Sequence, residues 1–218
     1  MRMKYKCLVF DHDDTVVNST ATIHHPSFQQ YLDRYRPGMS CSLEKYFLRN
    51  FDPGFIPMCR EDYAMTDDDL DIEVRFWQDY VEGHTPAAYQ GIREIMLRQR
   101  AEGGLICVAS HSLEKNIRRD YEANDLPQPD LVFGWDLPVE QRKPNPFPLQ
   151  EIMRIYSLKP EELLMIDDLK PGFDMASGCG VDFAAAGWAN DIEEIERFMR
   201  QNSRYYFKTV EELNTFLG

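Results

Sequence analysis

The sequence has no stretch near the roughly 20 consecutive apolar residues of a membrane-spanning helix, which excludes a helical span and a membrane partner. It has no Lys or Arg block long enough to serve as a nucleic-acid arm. With 37 Asp and Glu against 24 Lys and Arg, the net charge is −13, so nucleic acid is excluded as a partner held by bulk electrostatics. Cysteine is sparse. Cys7, Cys41, Cys59, Cys107 and Cys179 are odd in number and lack a Cys-x-x-Cys pair, so neither a disulfide framework nor a zinc site is indicated. Internal repeats and low-complexity tracts are missing. Nothing near Met1 resembles a signal peptide, because Met1 to Lys6 is followed by only four apolar residues before Asp11; the expectation is a cytoplasmic protein. What remains is a chain of 218 residues, 43% hydrophobic, long enough for one domain with a sizeable insertion.

Short apolar, β-rich runs recur at Cys7 to Phe10, Leu105 to Ala109, Leu131 to Phe133 and Leu163 to Ile166, with weaker ones at Asp182 to Ala186 and Tyr205 to Phe207. Helical patterns separate them, and this alternation predicts an α/β fold, a Rossmann-like parallel sheet with helices on both faces. Hydrophobicity is continuous in the first and fourth runs, as in central strands covered on both sides. From Val17 to about Thr85 no strand is expected. Helices are predicted at Ser27 to Tyr35, Ser42 to Asn50 and Asp67 to Glu82. Thr66 supplies an N-cap to the last, and Asp67, Asp68 and Asp69 suit the positive end of its dipole. Pro37-Gly38 and Asp52-Pro53-Gly54 read as turns. The expected division is a core of residues 1–17 and 86–218 with a helical insert of residues 18–85.

Chemistry concentrates at the expected strand ends. Ligands of open parallel sheets bind beyond the carboxyl ends of the strands, and Asp11 follows the first strand directly. Asp11 and Asp13, two apart, can face one cavity. One carboxylate can displace an alcohol from phosphorus while the other protonates the leaving oxygen. Taken alone, Asp11-His12-Asp13-Asp14-Thr15 is equally an acidic turn, Ser110 a helix cap, Lys143 a solvated surface residue and Asp167-Asp168 a second acidic turn.

Together these segments resemble the haloacid dehalogenase-like superfamily over essentially the whole chain. Phe10-Asp11-His12-Asp13-Asp14-Thr15 is similar to its first motif, with Asp14 where the family often has Gly. Ile106 to Ser112 resembles the second motif, Lys143-Pro144-Asn145-Pro146 the third, and Leu164-Met165-Ile166-Asp167-Asp168, followed by Gly172 and Gly180, the fourth.

The resemblance implies a Mg²⁺-dependent phosphatase with a helical cap, similar to phosphoglycolate phosphatases and β-phosphoglucomutases, acting on a small-molecule phosphate ester. It implies Asp11 as nucleophile and Asp13 as acid and base. Ser110, the backbone N–H of His111, and Lys143 would hold the phosphoryl group together with Asp13. Asp11, the Asp13 backbone carbonyl, Asp168 and Asp167 would hold the metal. The cap is expected to close over the site, and His24, His25, Arg49 and Arg60 within it could reach a substrate, though each is read first as a surface or structural residue. A phosphomutase returning the phosphoryl group to a sugar uses the same residues and stays open, as does a non-catalytic phosphate-binding module. A phospho-receiver domain would place its paired acids before the acceptor Asp, the reverse of the order here. Oligomeric state is not legible.

Overall fold

The computed structural model describes residues 3–218, and among them six strands form one parallel sheet. They are β1 (Cys7–Phe10), β2 (Leu105–Ala109), β3 (Leu131–Phe133), β4 (Leu163–Asp167), β5 (Asp182–Ala186) and β6 (Tyr205–Phe207). Ten α-helices accompany them: α1 (His25–Tyr35), α2 (Leu43–Phe51), α3 (Phe55–Tyr63), α4 (Asp67–Glu82), α5 (Ile92–Ala101), α6 (Glu114–Ala123), α7 (Phe147–Tyr156), α8 (Lys170–Cys179), α9 (Glu193–Asn202) and α10 (Val210–Leu217). Among the described residues no helix is long and apolar enough to cross a membrane. The chain divides into two compact units, Met1–Asn18 with Ala87–Gly218, and Ser19–Pro86.

In the first unit the strand order is β3-β2-β1-β4-β5-β6. Leu8 and Phe10 on β1 stack with Ile106 and Val108 on β2 and with Leu164 and Ile166 on β4. Ile92, Ile95 and Met96 of α5, Ile117 and Tyr121 of α6, and Leu213 of α10 cover that face. The alternate residues Cys7, Val9, Cys107, Leu163 and Met165 are just as buried, and α8 packs on β4 and β5 from their side. Burial on both faces is why these strands read as unbroken apolar runs. The order reverses direction between β1 and β4, and the crevice at such a switch point is where open α/β sheets bind ligands.

The second unit is helical around an aromatic core. Phe28 is buried against Tyr31, Tyr46, Phe55 and Tyr63, with ring centroids 5.3–6.3 Å apart. Burying one such ring contributes about 1.5–3 kcal/mol. Thr66 and Asp69 close a reciprocal capping box at the start of α4, so the acidic run there is a helix N-terminus. α1 begins two residues ahead of the expected Ser27, because Pro26 is tolerated in the first turn, where no N–H partner is required. α3 is not among the expected helices and directly follows the expected turn Asp52-Pro53-Gly54. Gly54 caps it at φ 114°, and Pro57 lies in its first turn, so two apparent helix breakers initiate a helix.

Candidate active site

The site is built at the carboxyl ends of β1, β2 and β4. Asp11 is fixed as its N–H donates to Ile166 O at 2.8 Å, continuing the β1–β4 ladder past the end of β1. The chain then turns sharply, and His12 O accepts the N–H groups of Val16 and Val17 at 2.9 and 3.1 Å. Asp14 takes the left-handed conformation this turn requires, φ 56°. Glycine adopts it without cost and Asp is one of the few other residues that tolerate it, which accounts for both the family's usual residue and the departure here.

Ser110 follows β2, and its hydroxyl accepts the Ser112 N–H at 3.2 Å. The Ser112 hydroxyl in turn donates to Asp13 Oδ2 at 2.6 Å. His111 donates from Nε2 to Lys143 O at 2.8 Å, so its imidazole braces the loop that carries Lys143. Burial, and then the nearby Lys143 ammonium, lower the His111 pKa to about 4, which keeps the ring neutral.

Lys143 joins two strand ends. Its ammonium donates to Asp167 Oδ2 at 2.7 Å and lies 3.0 Å from Asp11 Oδ1, all three side chains being buried. Burial works against the ammonium, but the carboxylates of Asp11 and Asp167 outweigh it and raise its pKa. The contact to Asp11 is an ion pair without hydrogen-bond alignment, so Asp11 Oδ1 accepts no hydrogen bond. Asp167 Oδ1 accepts the Leu169 N–H at 2.8 Å. The Asp167 carboxylate rests against the first turn of α8 at Gly172, where a Cβ would come 2.0 Å from Oδ2. Thr15 Oγ1 donates to Asp168 Oδ1 at 3.2 Å.

One oxygen each from Asp11, Asp167 and Asp168 lies within 4.8 Å of the other two. Burial pushes the Asp167 carboxyl up to about 7, against the pull of Lys143 and with help from the Asp11 charge. Asp168 is raised well above the carboxylate range by burial, then by the charges of Asp14, Asp167 and Asp11. Three buried carboxylates facing one ammonium leave negative charge uncompensated, and Asp11 Oδ1 has only its 3.0 Å ion pair with Lys143. A hard divalent cation taking oxygen ligands fits that donor set.

The structure thus brings Lys143 into direct contact with Asp11 and Asp167, places an Asp168 oxygen within 4.8 Å of theirs, and holds Asp13, Ser110 and His111 in the adjoining hydrogen-bonded segment. Sequence reasoning missed Ser112 and Asp120. Asp120 pairs with His12, and both partnerships span about a hundred residues, where no local pattern signals them.

Residues 8–186 match the family model described as haloacid dehalogenase-like hydrolase. The chain is 24% identical over 191 residues to the pyrophosphatase PpaX of Bacillus cereus (strain Q1), 85% of each chain being covered. A predicted phosphoglycolate phosphatase from Haemophilus somnus superposes with a TM-score of 0.75 at 18% identity, covering 99% of each chain. CbbY from Rhodobacter sphaeroides, solved in complex with phosphate, gives 0.68 at 18% identity over 96% of each.

Proposed function

The chain belongs to the haloacid dehalogenase-like hydrolase family, and within it we propose a magnesium-dependent phosphatase that cleaves a small phosphorylated metabolite through an aspartyl phosphate on Asp11. The observation that carries this proposal is the Asp11 carboxylate. It is buried at the switch point of the sheet, has one oxygen without a hydrogen bond, and sits beside Lys143 and two further acids. The pyrophosphatase name of one relative and the phosphate held by another support a phosphate-bearing substrate.

In the first half-reaction an Asp11 oxygen attacks phosphorus as the bond to the leaving oxygen breaks, and Asp13 gives its proton to that oxygen. In the second, Asp13 takes a proton from the water that attacks the aspartyl phosphate, releasing phosphate and restoring Asp11. The Ser112 hydroxyl bond to Asp13 Oδ2 supports this role, since it holds the carboxyl in one orientation. Ser110, the His111 N–H and Lys143 are assigned to the phosphoryl oxygens. Asp11, Asp167, Asp168 and the Asp13 backbone carbonyl would hold Mg²⁺, which when bound supplies charge neutralisation between carboxylate and phosphate. Residues 1–17 and 86–218 are assigned to the catalytic core and residues 18–85 to a cap.

Asp11→Asn is expected to abolish Mg²⁺-dependent phosphate release from para-nitrophenyl phosphate, and near-native turnover would refute the assigned nucleophile. Beryllium fluoride with Mg²⁺ is expected to place a phosphoryl mimic on Asp11. Appearance of an isomerised sugar phosphate in place of free phosphate would point instead to a phosphomutase.

A further inference from the structure

His12 lies between the proposed nucleophile and the proposed acid, yet the mechanism gives it no part. Its ring is 1% exposed and turns into the protein, where Nε2 meets Asp120 Oδ2 of α6 at 3.0 Å. Because a carboxylate only accepts, Nε2 carries the proton of this bond. Asp120 is itself held: its Oδ1 takes Nε and Nη2 of Arg119 at 2.9 and 2.7 Å. Tyr121, fully buried, stacks on the imidazole with centroids 5.9 Å apart and an interplanar angle of 26°.

A buried histidine bonded to a carboxylate is ordinarily a satisfied core residue. Here its place in the chain gives it a second consequence. His12 O closes the turn after β1 by accepting two N–H groups, so the ring and the carbonyl pin the same residue from two sides. The next residue, Asp13, is held by Ser112, two residues before α6 begins. Residues 12 and 13 are therefore both tied to the segment from Ser112 to Asp120. We propose that His12, clamped by Asp120, is a positioning residue that sets the orientation of Asp13 for proton transfer to the leaving oxygen. The proposal rests on the assignment of Asp13 as that acid.

Its signature is a dependence on the leaving group. An alkyl phosphate needs a proton at its leaving oxygen, whereas para-nitrophenyl phosphate departs as a stable phenolate without one. The parameter to compare is kcat/KM, which covers the steps through transfer to Asp11 and excludes the later hydrolysis that every substrate shares. With His12→Leu, kcat/KM for an alkyl phosphate is expected to fall about 10²-fold, the scale of a misplaced catalytic group, and that for the aryl phosphate by less than about threefold. His12→Gln, whose terminal amide can reach Asp120 as Nε2 does, is expected to recover most of the alkyl activity.

Removing one partner of a buried pair can unfold a protein, whereas replacing both by apolar groups is often close to neutral. The double variant His12→Leu, Asp120→Leu therefore serves where the single one does not fold, and it is expected to show the same selective loss. Equal losses on both esters, no loss, or His12→Gln behaving like His12→Leu would overturn the positioning role while leaving the phosphatase proposal standing. A wild-type protein that releases phosphate from neither ester would overturn both.

Discussion

Gly172→Ala sets two effects of opposite sign against each other at one position in α8. By helix propensity, replacing Gly with Ala stabilises a helix by up to about 1 kcal/mol. At Gly172, however, the new Cβ would lie 2.0 Å from Asp167 Oδ2, 2.4 Å from Cγ and 2.7 Å from Cβ. Asp167 has no room to retreat, being fully buried with Oδ2 on Lys143 at 2.7 Å and Oδ1 on the Leu169 N–H at 2.8 Å. Either the start of α8 shifts, an overpacking cost of about 1–3 kcal/mol, or Asp167 leaves Lys143, and breaking such a buried pair costs about 3–5 kcal/mol. Sterics match or outweigh propensity, with a net loss of up to about 4 kcal/mol. For a urea slope of about 2 kcal/mol/M that lowers the unfolding midpoint by up to about 2 M. Gly178→Ala is the matched control. It lies in the same helix with nothing within 4 Å of its added Cβ, and is expected to move the midpoint upward. Equal shifts of one sign at the two glycines would refute the claim that contact with Asp167 requires glycine at position 172.

Two further outcomes follow from buried carboxyls. Asp167, raised to about 7, and Asp168, also raised, favour the folded state when protonated. Their contribution is full below the unfolded carboxyl pKa of about 4 and is lost as pH rises through the folded values. With EDTA the melting temperature should therefore fall from pH 5 to pH 8. Mg²⁺ should restore more at pH 8 than at pH 5, and an equal Mg²⁺ effect at both would count against the metal site. Glu73, in the helical unit, is raised to about 7 by burial and loses stability over the same window for a reason that Mg²⁺ does not relieve. Glu73→Gln should accordingly raise the melting temperature at pH 8 and leave it little changed at pH 5; an equal gain at both pH values would show that Glu73 is not raised.

The sheet was legible because its strands are buried on both faces. The expected limits of β1, β2, β3, β5 and β6 agree with the structure, and β4 runs one residue further, to Asp167. A helix start was legible where a side chain announces it, as the Thr66 cap does, while Ser42, expected as the first residue of its helix, caps it from one residue before. The start was hidden at α3, whose Gly54 and Pro57 carry the composition of a turn. Acids and a Lys at strand ends stand out because few residues there are polar. The groups that orient them do not. Ser112 is 99 residues from Asp13 and Asp120 is 108 from His12, and only the folded sheet brings β1 beside the chain that follows β2. Asp14 reads as a mere departure until its φ of 56° shows a position where glycine is favoured for its backbone.

That departure bears on how so acidic a site could take an anion. A glycine at position 14 would relieve the left-handed backbone and remove a charge; aspartate keeps the conformation at some cost and adds a carboxylate that raises the Asp168 pKa further. The first loop and the end of β4 then carry five acids, Asp11, Asp13, Asp14, Asp167 and Asp168, and the ammonium of Lys143 is already shared between Asp11 and Asp167. Once Asp167 and Asp168 ionise, one shared positive charge cannot offset these acids and an incoming phosphate as well, least of all in a buried site where like charges are poorly screened. On the proposed function, a divalent cation is thus a precondition for phosphate entry, and Asp14 makes that dependence stricter in this chain than a glycine would.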